Sequence, residues 1–125
     1  MKIDKSLLSG STTMLILRLL ETKDMYGYQM IEILEKQSNN VFTLKAGTLY
    51  PILHGLEKQG MVKSYNEDEP ENSRPRKYYK ITSAGVKFLQ EKKEEWETYS
   101  QAVNSVMDLI IDLFNRKGGF SYASF

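Results

Sequence analysis

Apolar positions Met14, Leu17 and Leu20 step by three along the first stretch of the chain, with Leu15, Ile16 and Leu19 filling in around them. That spacing predicts a helix from Ser11 or Thr12 to Glu21, with an apolar surface broad enough to be buried on several sides. Ser11 and Thr12 are favourable N-cap residues, and Gly10 marks a break before them. A turn around Lys23 to Gly27 leads to a second helix near Tyr28 to Gln37, with Met30, Ile31 and Leu34 on its inner face. Ser38, Asn39 and Asn40 end it in turn-forming chemistry, and Val41, Phe42 and Thr43 form a short β-prone segment.

A third helix is expected from about Lys45 to Gln59, because Ala46, Leu49, Ile52, Leu53 and Leu56 fall on one side of a 3.6-residue wheel. The opposite side collects Gly47, Pro51, His54 and Lys58, with Thr48 and Tyr50 on its flanks. Pro51 lacks a backbone donor and presses on the carbonyl of Gly47, so it belongs in the first turn or marks a kink. Gly60 then supplies a stop able to take positive φ. Met61 to Asn66 reads as the first arm of a hairpin, Glu67 to Pro75 as its long polar tip and Arg76 to Thr82 as the second arm. Val62, Tyr65, Tyr78, Tyr79 and Ile81 suit strands, and alternation places at least one of the two adjacent tyrosines in the core.

Thr82 or Ser83 caps a last helix that runs to about Arg116 without a proline. Leu89, Trp96, Val103 and Ile110 are seven apart, and Lys92, Tyr99, Val106 and Leu113 repeat three places later, an a/d heptad with one defect at Lys92. A helix of roughly 33 residues extends about 50 Å, longer than the small domain that carries it, so its stripe needs another surface. The same helix, or the first helix, of a second copy is the expected cover. The tail GGFSYASF begins with two glycines and is expected to be poorly ordered. The expected boundaries are therefore 1–82 for the first domain, 83–117 for the dimerisation helix and 118–125 for the tail.

Composition narrows the chemistry. The 125 residues hold no cysteine and one histidine, so disulfides and thiolate metal sites are excluded and a zinc site cannot be assembled around His54. Arg18 and Glu21 interrupt the apolar run near the start, and no charge-free stretch is long enough to span a bilayer, which reads as a cytoplasmic protein without a membrane partner. No nucleophile elbow, phosphate-binding glycine loop or metal-ligand spacing is present, so no enzyme and no cofactor are expected. Net charge is only +1, but distribution matters more than the sum. Glu67, Asp68, Glu69 and Glu71 crowd the hairpin middle, and Arg74, Arg76, Lys77 and Lys80 follow at once. A helix followed by a hairpin with a basic far arm is how small folds place one helix in a DNA groove and a hairpin beside it.

Four blocks resemble the PadR family of bacterial transcriptional regulators: LLSGSTTMLILRLLE, DMYGYQMIEILEK, GTLYPILHGLEKQGMV and RPRKYYKITSAG. Together they cover most of Leu7 to Gly85, and TLYP followed by LEKQG is the specific part. The chain looks like the smaller subgroup, with a single short helix after the wing. It departs from the family in having Glu71, Asn72 and Ser73 where the wing often has glycines.

The resemblance implies a mainly α winged helix-turn-helix fold with a two-stranded β-wing and a long C-terminal dimerisation helix. It implies DNA contact for Lys45, Thr48, Tyr50, Pro51, His54 and Lys58 on the third helix, and for Arg74, Arg76 and Lys77 on the wing. Lysine and arginine neutralise phosphate, while Thr, Tyr and His bond phosphate oxygens or base edges. The dimer interface is expected at Leu89, Trp96, Tyr99, Val103, Val106, Ile110 and Leu113. Some relatives in the family bind planar aromatic compounds between these helices, which makes Trp96, Lys92 and Tyr99 the candidate effector site. The function so implied is a homodimeric, sequence-specific repressor of a two-fold symmetric operator on double-stranded DNA, released by a small planar aromatic effector. The alternative, favoured by near-zero net charge and an acidic wing tip, is a winged-helix protein-interaction module that does not bind an operator.

Overall fold

The computed structural model describes residues 2–69 and 72–110, with only the backbone at residue 69 and at 72–74. Its elements run α1 (Lys5–Thr22), β1 (Met25–Tyr26), α2 (Gly27–Gln37), α3 (Ala46–Lys58), β2 (Val62–Glu69), β3 (Asn72–Ile81) and α4 (Ser83–Met107). Two compact units divide the chain, Met1–Lys93 and Glu94–Phe125.

The first helix starts earlier than the hydroxyl residues suggest. Asp4 caps α1 by accepting from the Ser6 amide at 3.0 Å, and that bond to the charged form holds its carboxyl below the usual carboxylate range. Ser11 and Thr12 do not cap a new start at Gly10, because their hydroxyls donate back to the Leu8 carbonyl, Thr12 at 2.9 Å. Gly10 is simply an interior residue of the helix. The second helix ends where expected: Asn39 and Asn40 take left-handed φ values of 51° and 67°, and the Asn40 amide donates to the Glu35 carbonyl. Val41 to Thr43 is loop and not strand.

Leu49, Leu53 and Leu56 bury one side of α3. Its end is a Schellman motif, with Gly60 at φ 76°, the Gly60 amide donating to Glu57 and the Met61 amide donating to Leu56. Pro51 lies in the second turn of the helix, beyond the first-turn position that tolerates proline best.

The sheet has three antiparallel strands in the order β1-β3-β2, one more than the two-stranded wing expected from the pattern. Pairing also continues well past Asn66, with Glu67 opposite Arg76 and Asp68 opposite Pro75 before a register shift, so most of the supposed polar tip is strand. Met25, Val62 and Tyr79 turn to the core with Ile16, Leu17, Leu20, Met30 and the three α3 leucines. Thr82 caps α4 by accepting from the Gly85 amide at 3.1 Å, and its hydroxyl lies 2.6 Å from the Gly60 carbonyl. Gly85 is required there, because a β-carbon would overlap the Met61 carbonyl.

The helix after the wing is shorter than the heptad suggests. It ends at Met107, with Asp108 in a turn and Leu109 and Ile110 non-helical, so its 25 residues extend about 37 Å. Leu89, expected at a dimer interface, is 4% exposed and belongs to the core of its own chain. Leu113 and the tail lie outside the described residues. Among the described residues no helix is long and apolar enough to cross a membrane.

Candidate nucleic-acid interface

The burial of Leu49, Leu53 and Leu56, with Ile52 packed against the same core, sets the rotation of α3 and turns its opposite side outward. Lys45, Thr48, Pro51, His54 and Lys58 are all exposed, and Pro51, His54, Gly55, Glu57 and Lys58 line a shallow groove. Tyr50 is 38% exposed, with its ring 6.4 Å from that of His54. Its far end covers Gly27 at the start of α2, where a β-carbon would collide with it. That glycine lets α2 and α3 approach closely at this point. Glu57, on the flank, accepts from the Ser64 hydroxyl and so ties α3 to β2.

On the wing, Arg76 is half-buried and its guanidinium lies 4.3 Å from the centre of the Tyr26 ring. Lys77 is exposed, with its ammonium 5.7 Å from the Tyr79 ring centre. The backbone of Arg74 is part of β3, and its side chain lies outside the described part. The strand register sets Glu67 across from Arg76 and Asn66 across from Lys77. An acid and a cation therefore face each other across the ladder at Glu67 and Arg76.

A helix with a buried leucine face and an outward polar face, following two helices of the same core and followed by a cation-bearing hairpin, is the arrangement of a winged helix-turn-helix. The family model described as transcriptional regulator PadR-like family matches residues 16–91. The chain belongs to the PadR-like family of transcriptional regulators. A transcriptional regulator from Clostridium thermocellum is similar with a TM-score of 0.73 at 34% identity, over 80% of this chain and 96% of that one. A PadR family regulator from Eggerthella lenta gives a TM-score of 0.74 at 30% identity, over 84% and 88% of the two chains. An uncharacterised protein of Lysinibacillus sphaericus is 33% identical over 106 residues, 85% of this chain and 96% of the relative. PadR-like regulators bind DNA, which makes this chain a DNA-binding regulator.

In this PadR-like regulator the residues expected at the dimer and effector sites fall into different settings. Trp96 (49% exposed), Tyr99 (65%), Val103 and Val106 stand on the exposed surface of α4, and Ile110 is exposed beyond its end. Lys92 lies in the first unit, its ammonium 5.4 Å from the Phe88 ring centre.

One group in the PadR-like chain escaped the sequence reading. Tyr26, Tyr78 and Tyr65 form a row across all three strands on the outer sheet face, since Tyr78 pairs with both of the others. Tyr65 and Tyr78 stack at 5.8 Å, and Tyr26 meets Tyr78 edge-on at 5.4 Å. The Tyr65 hydroxyl donates to Asp24 Oδ2 at 2.6 Å, which pushes its pKa up to about 12 by tying the proton to a carboxylate. Alternation from Arg76 to Tyr78 carried half of this signal. A two-residue strand such as β1 has too few positions to show a period, so Tyr26 carried none.

Proposed function

We propose that this PadR-like regulator is a homodimeric repressor that places two copies of α3 in successive major grooves of a two-fold symmetric operator. The observation that supports it is the outward set Lys45, Thr48, Pro51, His54 and Lys58 on a helix whose rotation is locked by three buried leucines. Lysines at its two ends suit phosphates, and Thr48, Pro51 and His54 between them suit base edges and thymine methyls. Tyr50 contributes its exposed edge. Arg74, Arg76 and Lys77 reach the flanking backbone from the wing.

The second copy joins through α4. Trp96, Tyr99, Val103 and Val106 are exposed at heptad spacing, and a contiguous apolar stripe on a helix is the surface that a coiled-coil partner covers. The two recognition helices then stand roughly 34 Å apart, one turn of the duplex. A planar aromatic effector that stacks on Trp96 beside Tyr99 would separate the paired helices and release the operator.

A gel shift of the gene's own promoter duplex over roughly 50 to 200 mM salt tests the reading, with steep weakening expected as phosphate contacts are screened. The footprint should be an inverted repeat. Intact dimers that leave the duplex unshifted at the lowest salt would point instead to the protein-interaction module.

A further inference from the structure

We propose that Tyr26 is a positioning residue for DNA binding: its ring holds the Arg76 guanidinium in place, so that the wing presents this cation to the phosphate backbone already oriented. The proposal rests on the operator-binding reading above.

Tyr26 stands outside the basic arm in sequence, and it meets Arg76 only because β1 pairs with β3. Its backbone is held by the ladder, opposite Tyr78. Its ring is held by the edge-on contact with Tyr78, which is itself stacked on Tyr65. The Tyr65 hydroxyl closes the ring of contacts at Asp24, two residues before Tyr26. The face that remains carries Arg76, with 4.3 Å between the guanidinium carbon and the ring centre. A guanidinium resting on an aromatic face keeps its in-plane N–H edge for oxygen acceptors, and loses less freedom when a phosphate arrives than a side chain swinging in solvent. Glu67 stands opposite Arg76 in the register, so a carboxylate and the cation share this rung of the ladder.

This arrangement divides the wing cations by mechanism. Lys77 is exposed with its ammonium 5.7 Å from the Tyr79 ring centre, whereas Arg76 is half-buried with its guanidinium at 4.3 Å from the Tyr26 ring centre. Affinity should therefore depend on a residue with no charge and no place in the basic arm.

The test is a double-mutant cycle on promoter-duplex binding by the full chain, with dimer state and circular dichroism checked for each variant. Tyr26→Phe keeps the ring face and should bind within about twofold of wild type. Tyr26→Leu should weaken binding roughly two- to tenfold, in line with a cation–π contact. In an Arg76→Ala background the same leucine exchange should have no further effect. Additive losses, an unaffected Tyr26→Leu, or a Tyr26→Phe as weak as the leucine variant would each overturn the proposal. Should Tyr26→Leu fail to fold, Arg76→Lys reads the same contact: it keeps the charge and the salt slope but should lose affinity, and unchanged affinity overturns the proposal. A wild type that never shifts the duplex removes the operator reading and this one together, while a wild type that binds with an additive cycle removes this one alone.

Discussion

Tyr79 is 1% exposed, and its hydroxyl has no hydrogen-bond partner among the described residues. Burial raises its pKa first of all, and the nearby Glu57 and Tyr50 add to the effect. An unsatisfied buried hydroxyl costs roughly 1–3 kcal/mol, so Tyr79→Phe should raise stability by about 1 kcal/mol at neutral pH, measured by urea unfolding. The gain should widen above pH 10. There the unfolded tyrosine ionises while the folded one stays protonated, so wild type loses stability as pH rises through the raised folded pKa, and phenylalanine has nothing to lose. A variant less stable than wild type at neutral pH would mean that the hydroxyl is satisfied. That one of Tyr78 and Tyr79 is buried was legible from alternation alone. Which one was not, because the choice depends on the strand being paired with Met25 and Ser64 on the core side.

At the scale of elements, strongly periodic segments were legible and their limits were not. Leu49, Leu53 and Leu56 of the expected α3 wheel are buried and Ile52 packs against the core, while Ala46 at the first turn is exposed, and the Gly60 stop matched the helix end. The start of α1 was missed because serine and threonine serve equally as caps and as donors to a preceding turn, and only the Asp4 cap distinguishes the two. The strands of the hairpin run longer than their β-prone residues predict, because acidic residues are poor strand formers, yet a ladder propagates through them once register is set. The last helix is shorter than the heptad predicts, since such a pattern records where apolar residues fall and not where the backbone stops being helical. Dimerisation is therefore tested at positions inside α4. Val103 and Val106 lie within α4 and are exposed, so Val103→Asp with Val106→Asp should leave the fold intact by circular dichroism and give monomers by sedimentation with loss of duplex binding. A persistent dimer would show that copies meet elsewhere.

For the whole molecule, the proposed mechanism couples two reading heads through one helix pair. A ligand that favours one packing of that pair shifts the population with heads at operator spacing, by no more than its differential affinity for the two packings. Flat aromatic cations that quench Trp96 fluorescence should therefore weaken promoter binding in the same concentration range. Quenching without any loss of duplex affinity would separate the stacking site from control, and no quenching across a broad panel would remove the effector from the proposal.

Residue order alone determined the helix faces, the turn chemistry, the basic arm of the wing and the family, because each is written in local spacing or in a contiguous motif. Tertiary structure decided what depends on partners distant in sequence. It turned Leu89 into core, gave the sheet a third strand from two residues, buried Tyr79 and brought Tyr26 under Arg76. The physical reason is pairing: a strand's register assigns every side chain to a face at once, and no pattern within either segment carries that information.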